Sequence, residues 1–198
     1  MSELIDACVG NTVLFIVAHH DDEVLFCGGL LALLSGTCRL IILCVHDYYK
    51  NRPNAEGWLT AFNNINTVIH AGLISGPFES NKQSPPIGTY ANLFKNYNKI
   101  REFIKNKINE INPTVIISHN CLGEYGHIDH IIVHSAVMSE RGDIRLYCFG
   151  NGLDSFTEKI KYKVESKKKL VDLYSDVWNP IKKGYNFVYR GETYIKIP

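Results

Sequence analysis

The chain has 198 residues, of which 45% are hydrophobic and 21% charged, and a formal net charge of +1. That is enough for one sizeable core and too little for two comfortable ones. The near-neutral balance lacks the basic footprint of a nucleic-acid or anionic-membrane binder, and no apolar run approaches the roughly 20 residues that span a bilayer.

The N-terminus, Met1-Ser2-Glu3-Leu4-Ile5-Asp6, carries acid before any apolar run and does not read as a secretion signal. Residues 12–17 are short, β-branched and aromatic, and predict a buried strand. Residues 23–34 predict a buried helix, with Gly28-Gly29 allowing close packing on the sheet and Ser35-Gly36 ending it. Residues 39–45 predict a second strand, residues 58–71 a helix, and Leu73-Ile74 the opening of a third strand. Residues 75–89, rich in Gly, Pro, Ser and Asn, predict a loop. Helical spacing from Leu93 to Ile108 predicts a helix over 90–111, stopped by Asn112-Pro113. A strand at 114–118, a helix at 128–138, a strand at 145–149 and a helix at 165–174 follow, with a closing hairpin between 186–189 and 193–197. This βαβ series predicts a single α/β domain over 1–198, a Rossmann-like, mostly parallel sheet with helices on both faces. If the first strand is central, the first and fourth lie side by side where the winding reverses, and ligands bind beyond their carboxyl ends.

Both of those strand ends run into polar clusters. After the first comes Ala18-His19-His20-Asp21-Asp22-Glu23, and soon after the fourth comes Gly123-Glu124-Tyr125-Gly126-His127-Ile128-Asp129-His130. So many imidazoles and carboxylates are costly to crowd together unless something neutralises them, and a divalent metal does so. His19 and Asp22, three apart in a turn, and His130, opening a helix, make up a three-ligand open site. Asp21 then remains as a carboxylate to take a proton from water, and His127 as an imidazolium to stabilise an oxyanion or protonate a leaving amine. These are the parts of a metal-assisted amide hydrolase.

Ala18-His19-His20-Asp21-Asp22-Glu23 resembles the Ala-His-Pro-Asp-Asp-Glu signature of the LmbE-like, or PIG-L-type, N-acetylglucosaminyl de-N-acetylases, and Gly126-His127-Ile128-Asp129-His130 resembles their Gly-His-Pro-Asp-His signature. Residues 165–178 are similar to their C-terminal Lys- and Tyr-containing helix. The resemblance implies one zinc ion on His19, Asp22 and His130, with other divalent metals as alternatives. It implies Asp21 as general base, His127 as acid or oxyanion-stabilising residue, and Tyr125 as a group polarising the acetyl carbonyl. The implied substrate is an N-acetylated amino sugar, free, nucleotide-linked or in a glycoconjugate. His20 stands in place of the family Pro, and residues 59–64 lack the Arg-x-x-Glu pair of many members.

Asp129 is expected to orient a ligand histidine or a substrate hydroxyl, and His20 to lie beside the ligands without joining them. His119 is a weaker candidate of the same kind, and Glu23 and Glu124 are left between such a role and helix N-terminal charges. The loops 47–57 and 75–89 carry aromatics and Arg52, and predict a sugar site with Tyr48 and Arg52 as contacts. Three rivals remain: an amidase on a non-sugar amide, a two-metal phosphoesterase, which needs more carboxylates than these strand ends supply, and a non-catalytic sugar binder, which the intact Asp21 argues against. The six cysteines form no Cys-x-x-Cys pair and read as reduced, mostly buried residues of a cytoplasmic chain, Cys121 included as a packed loop residue. Lys167-Lys168-Lys169 reads as a solvated helix face.

Overall fold

Burial on both faces accounts for the unbroken apolar runs. The computed structural model describes residues 2–46, 66–73, 89–151, 158–162, 164–172 and 191–198. Within them β1 (Thr12–Val17), β2 (Arg39–His46), β3 (Thr67–Leu73), β4 (Val115–Ser118), β5 (Arg145–Phe149), β6 (Glu158–Ile160) and β7 (Glu192–Ile197) form one sheet in the order β3-β2-β1-β4-β5-β7-β6. β1 to β5 pair in parallel, while β7 runs antiparallel to β5 and β6. The described helices are α1 (Glu3–Cys8), α2 (Asp22–Leu34), α3 (Thr89–Ile111), α4 (Gly123–Gly126), α5 (Ile128–Glu140) and α6 (Val164–Asp172). The fold is the expected α/β architecture with a mostly parallel sheet.

Alternation along β1 divides the core. Val13, Phe15 and Val17 join a cluster with Val24, Phe26, Leu30 and Leu34 of α2. Leu14 and Ile16 join the opposite cluster with Ile100, Ile104 and Ile108 of α3 and Ile132, Val133 and Val137 of α5. Each such side chain stabilises the fold by about 1.5–3 kcal/mol on burial. α3 stops as its last residues predict: Asn112 takes φ 50°, its amide still donating to the Ile108 carbonyl at 2.8 Å, and Pro113 follows.

β1 lies between β2 and β4, so the winding reverses beside it. The register Val17↔Cys44 and Ile16↔Ser118 sets the three carboxyl ends level. Both polar clusters therefore leave the same edge of the sheet.

The structure departs from the sequence reading in several places. The third strand begins at Thr67, inside the expected 58–71 helix, and residues 58–65 lie outside the described residues. Asn66 explains the early start: its amide donates to the Leu40 carbonyl, and its side-chain oxygen accepts the Leu40 amide, locking residue 66 to β2. A short apolar run fits either periodicity until such pairing decides it. α1, α4 and β6 carry too little pattern to be foreseen. Residues 193–197 are strand as expected, but they pair with β5 and β6, and residues 186–189 lie outside the described residues. Cys121 is exposed, not packed, and all six cysteines are free. Lys168 and Lys169 are exposed as read, but Lys167 is 1% exposed. Gly28 and Gly29 admit Lys167 and Tyr162 rather than the sheet: a Cβ on Gly29 would stand 2.3 Å from the Tyr162 ring.

Candidate metal and catalytic site

β1 delivers residues 18–21 as a turn into α2, and the turn is bonded to itself. Asp22 Oδ2 accepts the His19 amide at 2.8 Å, and Glu23 Oε2 accepts the Asp21 amide at 2.9 Å. The Asp21 carbonyl accepts the amides of Val24 and Leu25. Asp21 itself takes φ 135°, a conformation costing a non-glycine residue on the order of 1–3 kcal/mol and found chiefly where function demands it. Glu23, unranked from the sequence, is thus buried and ties down the start of α2.

Asp22 Oδ2 is the centre of the cluster. It lies 3.3 Å from His19 Nδ1, 3.4 Å from His130 Nε2 and 3.4 Å from His119 Nε2. Burial opposes its ionisation, but the rings of His130, His119 and His19 hold the carboxyl well below its ordinary value. His19 turns its other nitrogen to Asp129, with Nε2 at 3.1 Å from Oδ2. Burial lowers the pKa of His19, yet Asp129 and Asp22 outweigh it and raise it to about 10. The position therefore favours positive charge.

His119 and His130 stack at 3.9 Å between centroids, and Glu124 joins them from behind: its Oε2 is 2.7 Å from His119 Nδ1 and 2.5 Å from His130 Nδ1. Its Oε1 accepts the Asn120 amide at 2.8 Å, and φ 59° at Glu124 turns the side chain inward. Burial raises the Glu124 pKa, but the two imidazoles bring it down to about 2. The two rings then differ in one respect. His119 Nε2 accepts the Ala18 amide at 2.9 Å, whereas His130 Nε2 is buried with no hydrogen-bond donor or acceptor. Burial lowers the His119 pKa and Glu124 and Asp22 raise it, to about 9; a proton on Nε2 would nonetheless displace the Ala18 amide, so the ring is neutral with its proton on Nδ1. His119 is a brace, and its lone pair is already used.

A tetrahedral zinc ion holds nitrogen and oxygen ligands at about 2.0–2.2 Å, which places any two ligand atoms about 3.4 Å apart. Asp22 Oδ2 meets that spacing to both His19 Nδ1 and His130 Nε2, and the second of these atoms is the one with no other bond. The backing carboxylates on the far nitrogens, Asp129 and Glu124, are those that orient metal-binding imidazoles elsewhere. The donor chemistry of His19, Asp22 and His130, and the spacing of each histidine to Asp22, thus fit a zinc-class ion. Two groups have ligand atoms that all lie within 4.8 Å of one another, His19 with His127 and His130, and Asp22 with His119 and His130; Asp22 and His130 share the second with His119, whose Nε2 already holds the Ala18 amide.

His127 stacks on His130 at 4.6 Å and caps α5, accepting the Asp129 amide at Nδ1. Burial and the neighbouring His130 and His19 lower its pKa to about 4. At neutral pH it is therefore neutral with the proton on Nε2, a hydrogen-bond donor where the sequence had implied an imidazolium. Tyr125 is 56% exposed, its ring 5.8 Å from that of His127 and 5.4 Å from that of His130. His20 is half-buried between His19 and Asp21. Tyr48 and Arg52 lie outside the described residues. His46, which carried no pattern in the sequence, ends β2 with its ring 5.7 Å from that of His19.

Residues 14–140 match the GlcNAc-PI de-N-acetylase (PIG-L) family, and both clusters fall inside that span. The chain belongs to the PIG-L family. It is similar over 88% of its length to uncharacterized protein L374 of Acanthamoeba polyphaga mimivirus, at 25% identity, covering 76% of that protein. Among solved structures, this PIG-L chain resembles a deacetylase of the teicoplanin biosynthesis pathway (TM-score 0.70, 14% identity, covering 94% of this chain and 98% of that one). It also resembles N,N'-diacetylchitobiose deacetylase from Pyrococcus horikoshii (TM-score 0.70, 12% identity, covering 99% and 89%). The same fold carries GalB, a 4-carboxy-2-hydroxymuconate hydratase from Pseudomonas putida (TM-score 0.57, 12% identity, covering 95% and 96%). At these identities the likeness shows the fold alone, so the reaction has to be read from the site.

Proposed function

We propose that this protein is a zinc-dependent hydrolase that removes the acetyl group from an N-acetylated amino sugar, with residues 1–198 as its catalytic domain. One observation carries the reading: Asp22 Oδ2 stands at ligand spacing from His19 Nδ1 and His130 Nε2, with Asp21, whose backbone φ is 135°, next to it in the chain, in a member of the PIG-L family. The solved deacetylases of teicoplanin biosynthesis and of diacetylchitobiose support an amide on a sugar as the substrate.

When bound, a zinc-class ion lowers the pKa of a coordinated water to about 7 and polarises a carbonyl oxygen. The chain's own residues do the rest. Asp21 accepts the proton of the attacking water, which general-base catalysis rewards by about 10²–10⁴-fold. His127, its Nδ1 engaged by the Asp129 amide, offers Nε2–H to the acetyl oxygen as that oxygen becomes negative. The Tyr125 hydroxyl, at the exposed rim, is the second donor on that side. The proton held by Asp21 passes to the nitrogen as the C–N bond breaks, leaving acetate and a free amine. His20 adjoins these groups as a neighbour and not a ligand.

Tyr48 and Arg52 follow β2, whose last residue, His46, already lies against His19, and they are proposed as sugar contacts. No described helix is long and apolar enough to cross a membrane. Free cysteines fit a reducing compartment, and a cytoplasmic location is part of the proposal.

The test is acetate release from a panel of N-acetyl sugars, free, nucleotide-linked and lipid-linked, after chelation and with zinc restored. Zinc-restored release from at least one sugar is expected. Release confined to non-sugar amides would replace the substrate class, and two bound ions with phosphate-ester cleavage would replace the reaction.

A further inference from the structure

The helix that carries Asp22 is broken, and a buried ion pair from the far end of the chain sits in the break. At Cys27, φ −137° and ψ 17° leave the helical region. In a regular helix the amides of Gly29 and Leu30 donate four residues back, to Leu25 and Phe26. Here they donate to Glu192 Oε1 and Oε2, at 2.7 and 2.9 Å. The Leu25 carbonyl receives Lys167 Nζ at 2.6 Å, and the same Nζ lies 2.6 Å from Glu192 Oε1. Tyr194 donates its hydroxyl to Glu192 Oε2 at 3.0 Å. The cation thus faces the carbonyl end of the first half-helix and the carboxylate faces the amide end of the second, as each half-helix dipole favours.

This arrangement is costly. Two charges are desolvated, and two glycines, each about 1 kcal/mol worse than alanine in a helix, make room for it. What the break changes is the direction of one short segment, Asp22 to Phe26. Leu25 connects the two ends: its carbonyl holds Lys167, while its amide donates to the Asp21 carbonyl at 2.9 Å.

We infer that Lys167 and Glu192 are positioning residues for the metal site: by clamping the break in α2 they aim the Asp21–Asp22 turn at His130. The inference rests on the metal-site reading above. It extends the functional unit to α6 and β7, beyond residues 14–140 where the family match lies.

The test uses Co²⁺ as the probe, followed by its visible absorption in wild-type protein, Glu192→Gln, Lys167→Met and the double variant that removes both charges together. Ile108→Ala, a core truncation in α3, controls for lost stability. The charge variants are expected to bind Co²⁺ at least tenfold more weakly with altered absorption bands, while the control keeps wild-type affinity and bands at comparable loss of Tm. A folded charge variant with wild-type affinity and bands overturns the inference and leaves the metal site standing. Wild-type protein that binds no Co²⁺ overturns the metal-site reading and this inference with it. Hydrogen exchange on the wild-type protein decides the matter even where no variant folds, because coupling between staple and site is reciprocal. Added Co²⁺ is expected to slow exchange at Gly29 and Leu30 about tenfold without a like change in α3, and unchanged exchange there overturns the inference.

Discussion

His19 sets the electrostatic character of the site, and its two carboxylate neighbours make opposite pH trends follow from one shift. Its folded pKa is raised to about 10 from 6.5. In metal-free protein the stabilisation from this shift is fully present below pH 6.5 and is lost as pH rises towards 10. Metal binding at Nδ1 must expel that proton, so affinity runs the other way and strengthens with pH. His130, its pKa lowered chiefly by burial, and Asp22, already ionised, have no proton to release near neutrality. Zinc affinity is therefore expected to rise about tenfold per pH unit between pH 7 and 9, with about one proton released, measurable by calorimetry in buffers of different ionisation enthalpy. The Tm of the metal-free protein should fall over the same range, and should fall less in His19→Ala. Asp21 and Asp22 separate by the same logic of contacts. Asp21→Asn is expected to keep its zinc and lose on the order of 10²-fold or more in kcat, whereas His130→Ala loses the zinc. Zinc lost from Asp21→Asn would reverse the two assignments. The adjacent acids of the first signature were legible as a chemical site in the sequence, whereas Glu124 could not be told there from a helix N-terminal charge. Its role depends on a positive φ and on two rings brought from 5 and 6 residues away on different elements.

At the scale of elements, α2 was recognisable from its apolar run and its bounds, but its break was not. Helical periodicity reports which face is buried, and α2 is apolar all round, so there was no polar face to show a change of direction. Gly28-Gly29 was the visible trace, assigned to the sheet when its true neighbours are Lys167 and Tyr162. Gly29→Ala is expected to destabilise the fold by about 1–3 kcal/mol, as overpacking does, because the added methyl meets the Tyr162 ring. Urea unfolding of Gly29→Ala, Tyr162→Ala and the pair should show the two losses to be strongly non-additive; simple additivity would place the strain elsewhere. Lys167 was hidden for a related reason. Within Lys167-Lys168-Lys169 composition makes the three equivalent, and only the placement of α6 against α2 sends one inward to Glu192.

At the scale of the whole molecule, the site exists because the winding reverses at β1. The edge that receives the two signatures also receives the end of β2, and the segment holding Tyr48 and Arg52 comes next in the sequence. If that segment binds the sugar, Tyr48→Ala and Arg52→Ala should each lower kcat/KM by about tenfold or more on the best substrate, the value of one good contact. Unchanged kcat/KM in both would put the sugar elsewhere.

The amino-acid sequence by itself determined the strands β1, β2, β4 and β5, the α/β class and the residue types of the site. Strand burial, helix stops and a cluster of unscreened ligands are local properties, written in runs of a few residues. Only the tertiary structure decided which nitrogen of His130 faces Asp22, that His119 is braced by the Ala18 amide while His130 is not, and that the last strand reaches back into α2. Those outcomes depend on contacts between residues more than a hundred positions apart, and directional bonds of this kind leave no periodic trace in the chain.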